Sequence, residues 1–259
     1  ATAQAANQEN MKENAIDMIK QVSSLSMPSV AVEEQEYVQI TERTTPSSRW
    51  QLLVELFGMR LVGVSLSWFL WDVAFYGNKL FQSAFLLAVT GQNTTLVEFA
   101  GAATLNAAVA AAGYLTAAAL VDRIGRRTLQ IAGFLLTGTL FVVTGSFLDV
   151  LSNYVLVILY LGSSYFGQVG PNATTFLVPA EVFPTEMRSF CHGIAAASGK
   201  LGALAASLLF VKGTTVDLFL YSGYASLLGA AVTYWTIPDL TSCKLQDLDH
   251  QWRNAVAGK

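Results

Sequence analysis

Charge is scarce in this sequence. Only 13% of its 259 residues are Asp, Glu, Lys or Arg, against 53% hydrophobic residues. A soluble domain ordinarily carries about 25% charged residues, so this chain has too little hydrated surface to cover a globule. Cysteine and histidine are rarer still, two of each. Cys191 and Cys243 have no CxxC or Cys/His ligand spacing, and His192 and His250 stand without ligand partners, which argues against a disulfide scaffold and a metal site. Cys191 reads as an inert, buried thiol. There is no P-loop and no GxSxG motif, and Gly199-Lys200-Leu201 lacks the flanking residues of a phosphate-binding loop. These absences speak against an enzyme, and no cofactor is implied. The net charge is −3 and no basic face is visible, so nucleic acid is not an expected partner. A signal peptide is also missing, since the chain opens at Ala1 on a polar stretch. Without an initiating Met, a processed or truncated chain is expected.

What the sequence has instead is long apolar runs. Mean hydropathy is +0.45. Residues 1–56 are polar, with four basic and eight acidic side chains, Glu33, Glu34 and Glu36 among them. They read as a cytoplasmic loop, with one short amphipathic helix expected over 11–22 from Met11, Ala15, Met18, Ile19 and Val22. Six runs follow, at about 61–87, 97–120, 129–148, 154–178, 191–211 and 218–237. A bilayer span needs ~20 apolar residues, and in lipid each span must satisfy its own backbone hydrogen bonds. The expected fold is therefore an all-α membrane protein, a six-helix bundle over 57–238, with a polar tail over 239–259. Lys and Arg concentrate in the loops after the second and fourth runs, which puts those loops and both termini in the cytoplasm. Asn93-Thr94-Thr95, a glycosylation sequon in the first outer loop, agrees with that orientation. A second sequon at Asn172 lies at membrane depth. Small residues crowd the second and fifth runs, as close helix packing requires.

Ionisable groups inside a bilayer are costly, and each is a functional hypothesis by default. Trp68, Asp72 and Tyr76 stand at i, i+4 and i+8, a spacing that stacks them on one helix face. Indole and phenol donate hydrogen bonds, and a carboxyl does so when protonated. Removal from water favours the neutral, proton-bearing form of a carboxyl, so a proton and an anion would enter this row together. The alternative is a structural Asp72 paired with Lys200 or Lys79, with Trp68 and Tyr76 as packing aromatics. In the fourth run, Gly162, Gly167, Gly170 and Pro171 interrupt the helix just before Asn172. Broken helices line transporter cavities, although a simple hinge with Asn172 on a loose carbonyl fits as well. Lys200, in mid-run, suits an anion contact or a releasable salt bridge, and its central depth suits snorkelling to an interface least. On the cytoplasmic side Asp122, Arg123, Arg126 and Arg127 face Glu181 and Arg188 as candidate gating ion pairs, worth little if they are exposed.

Several of these motifs resemble a known family. Asp122-Arg-Ile-Gly-Arg-Arg127 and Pro179-Ala-Glu-Val-Phe-Pro-Thr-Glu-Met-Arg188 resemble the cytoplasmic loops of the major facilitator superfamily. Trp68-Phe-Leu-Trp-Asp-Val-Ala-Phe-Tyr-Gly77, Gly170-Pro-Asn-Ala-Thr-Thr-Phe176 and Cys191-His-Gly-Ile-Ala-Ala-Ala-Ser-Gly-Lys200 resemble plant and fungal proton-coupled inorganic phosphate transporters. The resemblance covers about residues 50–237. It implies that Trp68, Asp72, Tyr76 and Asn172 contact phosphate, that Asp72 couples transport to protons, and that Lys200 falls in the family's S-G-K stretch. It also implies alternating access in a multi-pass protein of the plasma membrane. Members of that family have twelve spans, and this chain resembles the C-terminal half, so an N-terminal six-helix partner is expected besides phosphate, protons and the lipid bilayer. The stretch from Pro238 to Cys243 is a poor copy of the superfamily's usual ending. The competing expectations are a sugar or organic-ion porter of the same superfamily, and a truncated, non-transporting membrane interaction protein.

Overall fold

The structure, a computed structural model, describes residues 46–91, 94–239 and 245–257. The helix expected over 11–22, the acidic Glu33, Glu34 and Glu36, Asn93 of the first sequon, and Cys243 lie outside the described residues. Two compact units are present. The larger covers 53–250, and the smaller falls within 1–52 and 251–259. Of the smaller unit's described residues, Leu52, Trp252 and Val256 are buried.

All regular structure among the described residues is helical. In chain order the helices are α1 (Pro46–Leu80), α2 (Gln82–Thr90), α3 (Leu96–Ile124), α4 (Arg126–Ser146), α5 (Asn153–Val169), α6 (Pro171–Glu181), α7 (Thr185–Phe210), α8 (Thr215–Thr236) and α9 (Leu245–Ala257). Five of them, α1, α3, α4, α7 and α8, are long and apolar enough to cross a membrane. The fourth expected run is present but broken. Pro171 has no backbone N–H and Gly170 carries the turn, so α5 and α6, of 17 and 11 residues, are each too short alone. Helix α1 begins at Pro46 and runs through residue 56. The apolar run that follows divides at Phe81, where backbone bonds from Phe81 to Gly77 and from Phe85 to Phe81 carry the chain on into α2. In the polar tail, α9 was not foreseen. Its apolar Leu248, Trp252 and Val256 recur every fourth residue, one narrow stripe in an otherwise polar sequence.

Helix starts are specified locally. Thr95 and Glu98 form a reciprocal cap on α3, with Thr95 N–H donating to Glu98 at 2.8 Å and Glu98 N–H to the Thr95 hydroxyl at 3.3 Å. Thr214 and Asp217 repeat the device on α8. Between α3 and α4 only Gly125 intervenes, at φ 90°, a conformation that a residue without Cβ adopts at little cost. At α7, Asp249 reaches across to accept from the Thr185 backbone N–H at 2.6 Å and from its hydroxyl at 2.8 Å.

Within the larger unit, α4 packs against α5 and α8, α5 against α3, and α6 against α7. Glycine sets the α4–α8 spacing. A Cβ at Gly138 would lie 3.0 Å from the Gly223 carbonyl oxygen, and one at Gly223 3.1 Å from that of Gly138. The small residues of the second and fifth runs divide: Gly113 meets α5 and Gly202 meets α1, whereas Gly101 and Gly193 face open space. One core cluster joins Phe85, Phe141, Tyr160, Phe210 and Phe219, with Phe85 and Phe219 edge to face at 4.6 Å. Five buried hydroxyls bond back along their own helices. Thr144, Thr174, Thr175, Ser226 and Thr233 each donate to the carbonyl four residues back, which satisfies polar groups that lipid cannot.

Candidate functional site

The site starts from α1. Its i, i+4, i+8 stripe turns Asp72 inward, with 3% of the residue exposed, while Trp68 and Tyr76 are half-buried. Helix α7 lies against this stripe because it offers Gly199 and Gly202 there. Gly199 faces Trp68 and Asp72, and Gly202 meets the Phe69 backbone. The Ser198 hydroxyl donates to the Ser65 carbonyl at 3.0 Å and ties the two helices.

That approach delivers Lys200. Its Nζ is 3.8 Å from Asp72 Oδ2 and donates to the Tyr76 hydroxyl at 2.9 Å, lying 4.7 Å from the ring centroid. Lys79 instead rests 5.8 Å from the Phe75 ring. Of the two lysines considered for Asp72, it is therefore Lys200 that stands beside it. The pair is uneven: the Lys200 side chain is 66% exposed and that of Asp72 5%. Asp72 Oδ2 is buried without a hydrogen-bond partner. A buried carboxylate oxygen left so is costly, and it is relieved by a proton or by closer approach of the ammonium. A turn away, Trp68 contacts Phe176 of α6 and His192 of α7 edge to face, at 6.2 and 5.5 Å.

Asn172 belongs to a different group in this conformation. Its Oδ1 accepts from Trp71 Nε1 at 2.8 Å, and its Nδ2 donates to Tyr114 and to Gln168. The Gly170–Pro171 break places it at the start of α6, within reach of α1, α3 and α5 together. Sequence reasoning missed Trp71, Tyr114 and Gln168. Gln168 was within reach, standing four residues before Asn172, and Trp71 stands three after Trp68 on an adjacent face. Tyr114 carries no signal in its alanine-rich run.

On the expected cytoplasmic side, Arg126 is the hub. It pairs with Asp122 at 2.8 Å along one turn, and its Nε lies 2.8 Å from Glu181 of α6 as an ion pair, not aligned as a hydrogen bond. The other candidates are placed otherwise. Arg127 donates to the Tyr234 carbonyl at 2.6 Å and sits 5.2 Å from that ring, Arg188 donates to the Phe183 carbonyl and the Thr185 hydroxyl, and Arg123 is exposed.

Comparison with known proteins bears on what such a bundle does. The family model described as "Sugar (and other) transporter" matches residues 7–253. The chain is 34% identical over 258 residues to the "Probable inorganic phosphate transporter 1-6" of Arabidopsis thaliana, covering 92% of this chain and 49% of that protein. It is 40% identical over 167 residues to the "Inorganic phosphate transporter PHO84" of Saccharomyces cerevisiae, with 62% and 28% covered. To the "Repressible high-affinity phosphate permease" of Neurospora crassa it is 40% identical over 155 residues, with 56% and 27% covered. The chain spans about half the length of the curated relatives that it matches over most of its own length.

Proposed function

The chain belongs to the sugar (and other) transporter family, and from that premise we propose that it supplies the C-terminal half of a proton-coupled inorganic phosphate carrier working by alternating access. The observation that carries this reading is the buried Asp72 carboxylate with Lys200 beside it at 3.8 Å, on a helix long and apolar enough to span a membrane. The likeness to relatives named as inorganic phosphate transporters supports phosphate as the substrate.

In this mechanism a proton from outside binds the Asp72 carboxylate. The neutral acid no longer holds the Lys200 ammonium, whose charge turns to the incoming anion. Phosphate accepts from Trp68, Tyr76 and the Asp72 O–H, all donors. Asn172 adds its amide once it leaves Trp71. The two halves then rock about the loaded site. The Arg126 pairs with Asp122 and Glu181 part and re-form as the inner side opens and closes. When the proton leaves Asp72 to the cytoplasm, the restored carboxylate repels phosphate, recaptures Lys200, and drives release. The partner half would stand against the exposed side of Lys200. The proposed setting is the plasma membrane, with both termini cytoplasmic.

The test is labelled phosphate uptake by the assembled carrier in cells lacking their own phosphate uptake. Uptake is expected to rise as external pH falls, to collapse with a protonophore, and to be lost in Asp72→Asn. Normal pH-dependent uptake by that variant rejects the coupling role. A second reading, a sugar or organic-ion porter, is favoured only by the breadth of the family's own description. Competition by hexoses rather than arsenate would select it.

A further inference from the structure

A neighbouring face of α1, carrying Trp71, Asn78 and Lys79, borders a cleft that α3, α4 and α5 close. No Asp or Glu lines it. Each of its two amide oxygens accepts a hydrogen bond. Asn78 Oδ1 accepts from the Tyr160 hydroxyl at 2.9 Å, and Gln168 Oε1 accepts from Asn172, which leaves the NH₂ groups of both side chains without a partner among the described residues. The Ser164 hydroxyl, also on the cleft, makes no hydrogen bond among the described residues, and Lys79 brings an ammonium. A cation and three unused donors, with no carboxylate opposing them, are the chemistry of an oxyanion site.

We propose that this cleft is a second binding site, for a small tetrahedral oxyanion such as phosphate, separate from the Asp72 stripe. It has a built-in link to the first site. Trp71 and Gln168 line the cleft and also hold Asn172. An anion that takes the Trp71 indole N–H removes the donor now on Asn172 Oδ1, so filling the cleft frees Asn172. The inference rests on the proposed carrier function only for its choice of phosphate, because every residue that forms the cleft lies in this chain.

The experiment is equilibrium binding of labelled phosphate to the purified 259-residue chain in phosphatidylcholine nanodiscs. The expected result is saturable binding that includes a site independent of the Asp72 stripe. Asp72→Asn is expected to retain it. Lys79→Ala, at an exposed position, and Ser164→Val are each expected to weaken it about tenfold or more, the scale of losing a hydrogen bond to a charged group, and Lys79→Arg to restore it. Absence of saturable binding to the unmodified chain overturns the proposal. So does binding that Asp72→Asn abolishes while Lys79→Ala and Ser164→Val leave it unmoved. Binding of the expected pattern in a chain whose assembled carrier moves no phosphate would sink the carrier function and leave the cleft standing.

Discussion

Gly199→Ala probes the point where α7 meets the Asp72 stripe. A Cβ there would sit 2.5 Å from Trp68 Cδ1, and 2.8 Å from both Asp72 Oδ2 and Trp68 Nε1. Non-bonded carbons settle at about 3.5–4.0 Å, so these side chains must give way by roughly 1 Å. Overpacking of this kind costs about 1–3 kcal/mol. The better helix propensity of alanine returns about 0.5–1 kcal/mol. The net cost, about 0–2.5 kcal/mol, falls on the site itself, since the obstruction is side chain rather than backbone. Two positions on the same helix serve as controls. At Gly193 a Cβ meets nothing within 4 Å, and at Gly202 it meets the Phe69 backbone. Thermal unfolding of the purified chain should therefore rank Gly193→Ala at or above the unmodified chain, Gly199→Ala below it, and Gly202→Ala lowest. For phosphate uptake by the assembled carrier, Gly199→Ala should raise the half-saturation concentration by about fivefold or more, the equivalent of about 1 kcal/mol, while Gly193→Ala leaves it alone. If Gly199→Ala moves neither unfolding nor half-saturation, or if Gly193→Ala is as damaging, the close approach of α7 to Asp72 is refuted.

Three further outcomes are expected. Tyr76→Phe removes the hydroxyl that receives Lys200 at 2.9 Å and should weaken apparent phosphate affinity; an unchanged half-saturation concentration would reduce Tyr76 to a packing residue. Phe219→Ala empties the centre of the aromatic cluster and should cost about 3–5 kcal/mol, read as a lower unfolding midpoint, whereas a shift too small to measure would contradict the packing described. The Arg126–Glu181 pair is partly exposed, at 29% and 35% of the side chains, so Glu181→Gln should change stability by no more than about 1 kcal/mol. If the pair gates, that variant should nevertheless alter the transport rate, and the reversed pair Arg126→Glu with Glu181→Arg should recover part of it.

Helical content was legible because lipid leaves an apolar run of this length no other way to bond its backbone. The break at Gly170–Pro171 was legible for a local reason too, the missing proline N–H. Helix α9 was not, because its stripe of Leu248, Trp252 and Val256 is hidden in a polar composition and shows only when read at helical spacing. At the site, the i, i+4 rule put Trp68, Asp72 and Tyr76 on one face, and Lys200 does touch both Asp72 and Tyr76. Asn172 was expected beside them from the resemblance, and in this conformation it is taken up by Trp71, Tyr114 and Gln168.

By itself the sequence determined the class of protein, the material of its spans, where one of them breaks, and which residues share a face of α1. All of these depend on neighbours within about two turns of one helix. Only the tertiary structure decided that Lys200 rather than Lys79 stands by Asp72, that Arg126 rather than Arg127 or Arg188 joins the two acids, and that Asn172 closes on Trp71. These choices turn on how near two helices come and in what register. That is set by where glycine lets backbones approach, as at Gly199, Gly202 and the Gly138–Gly223 contact, a property of pairs of helices that no single helix's periodicity carries.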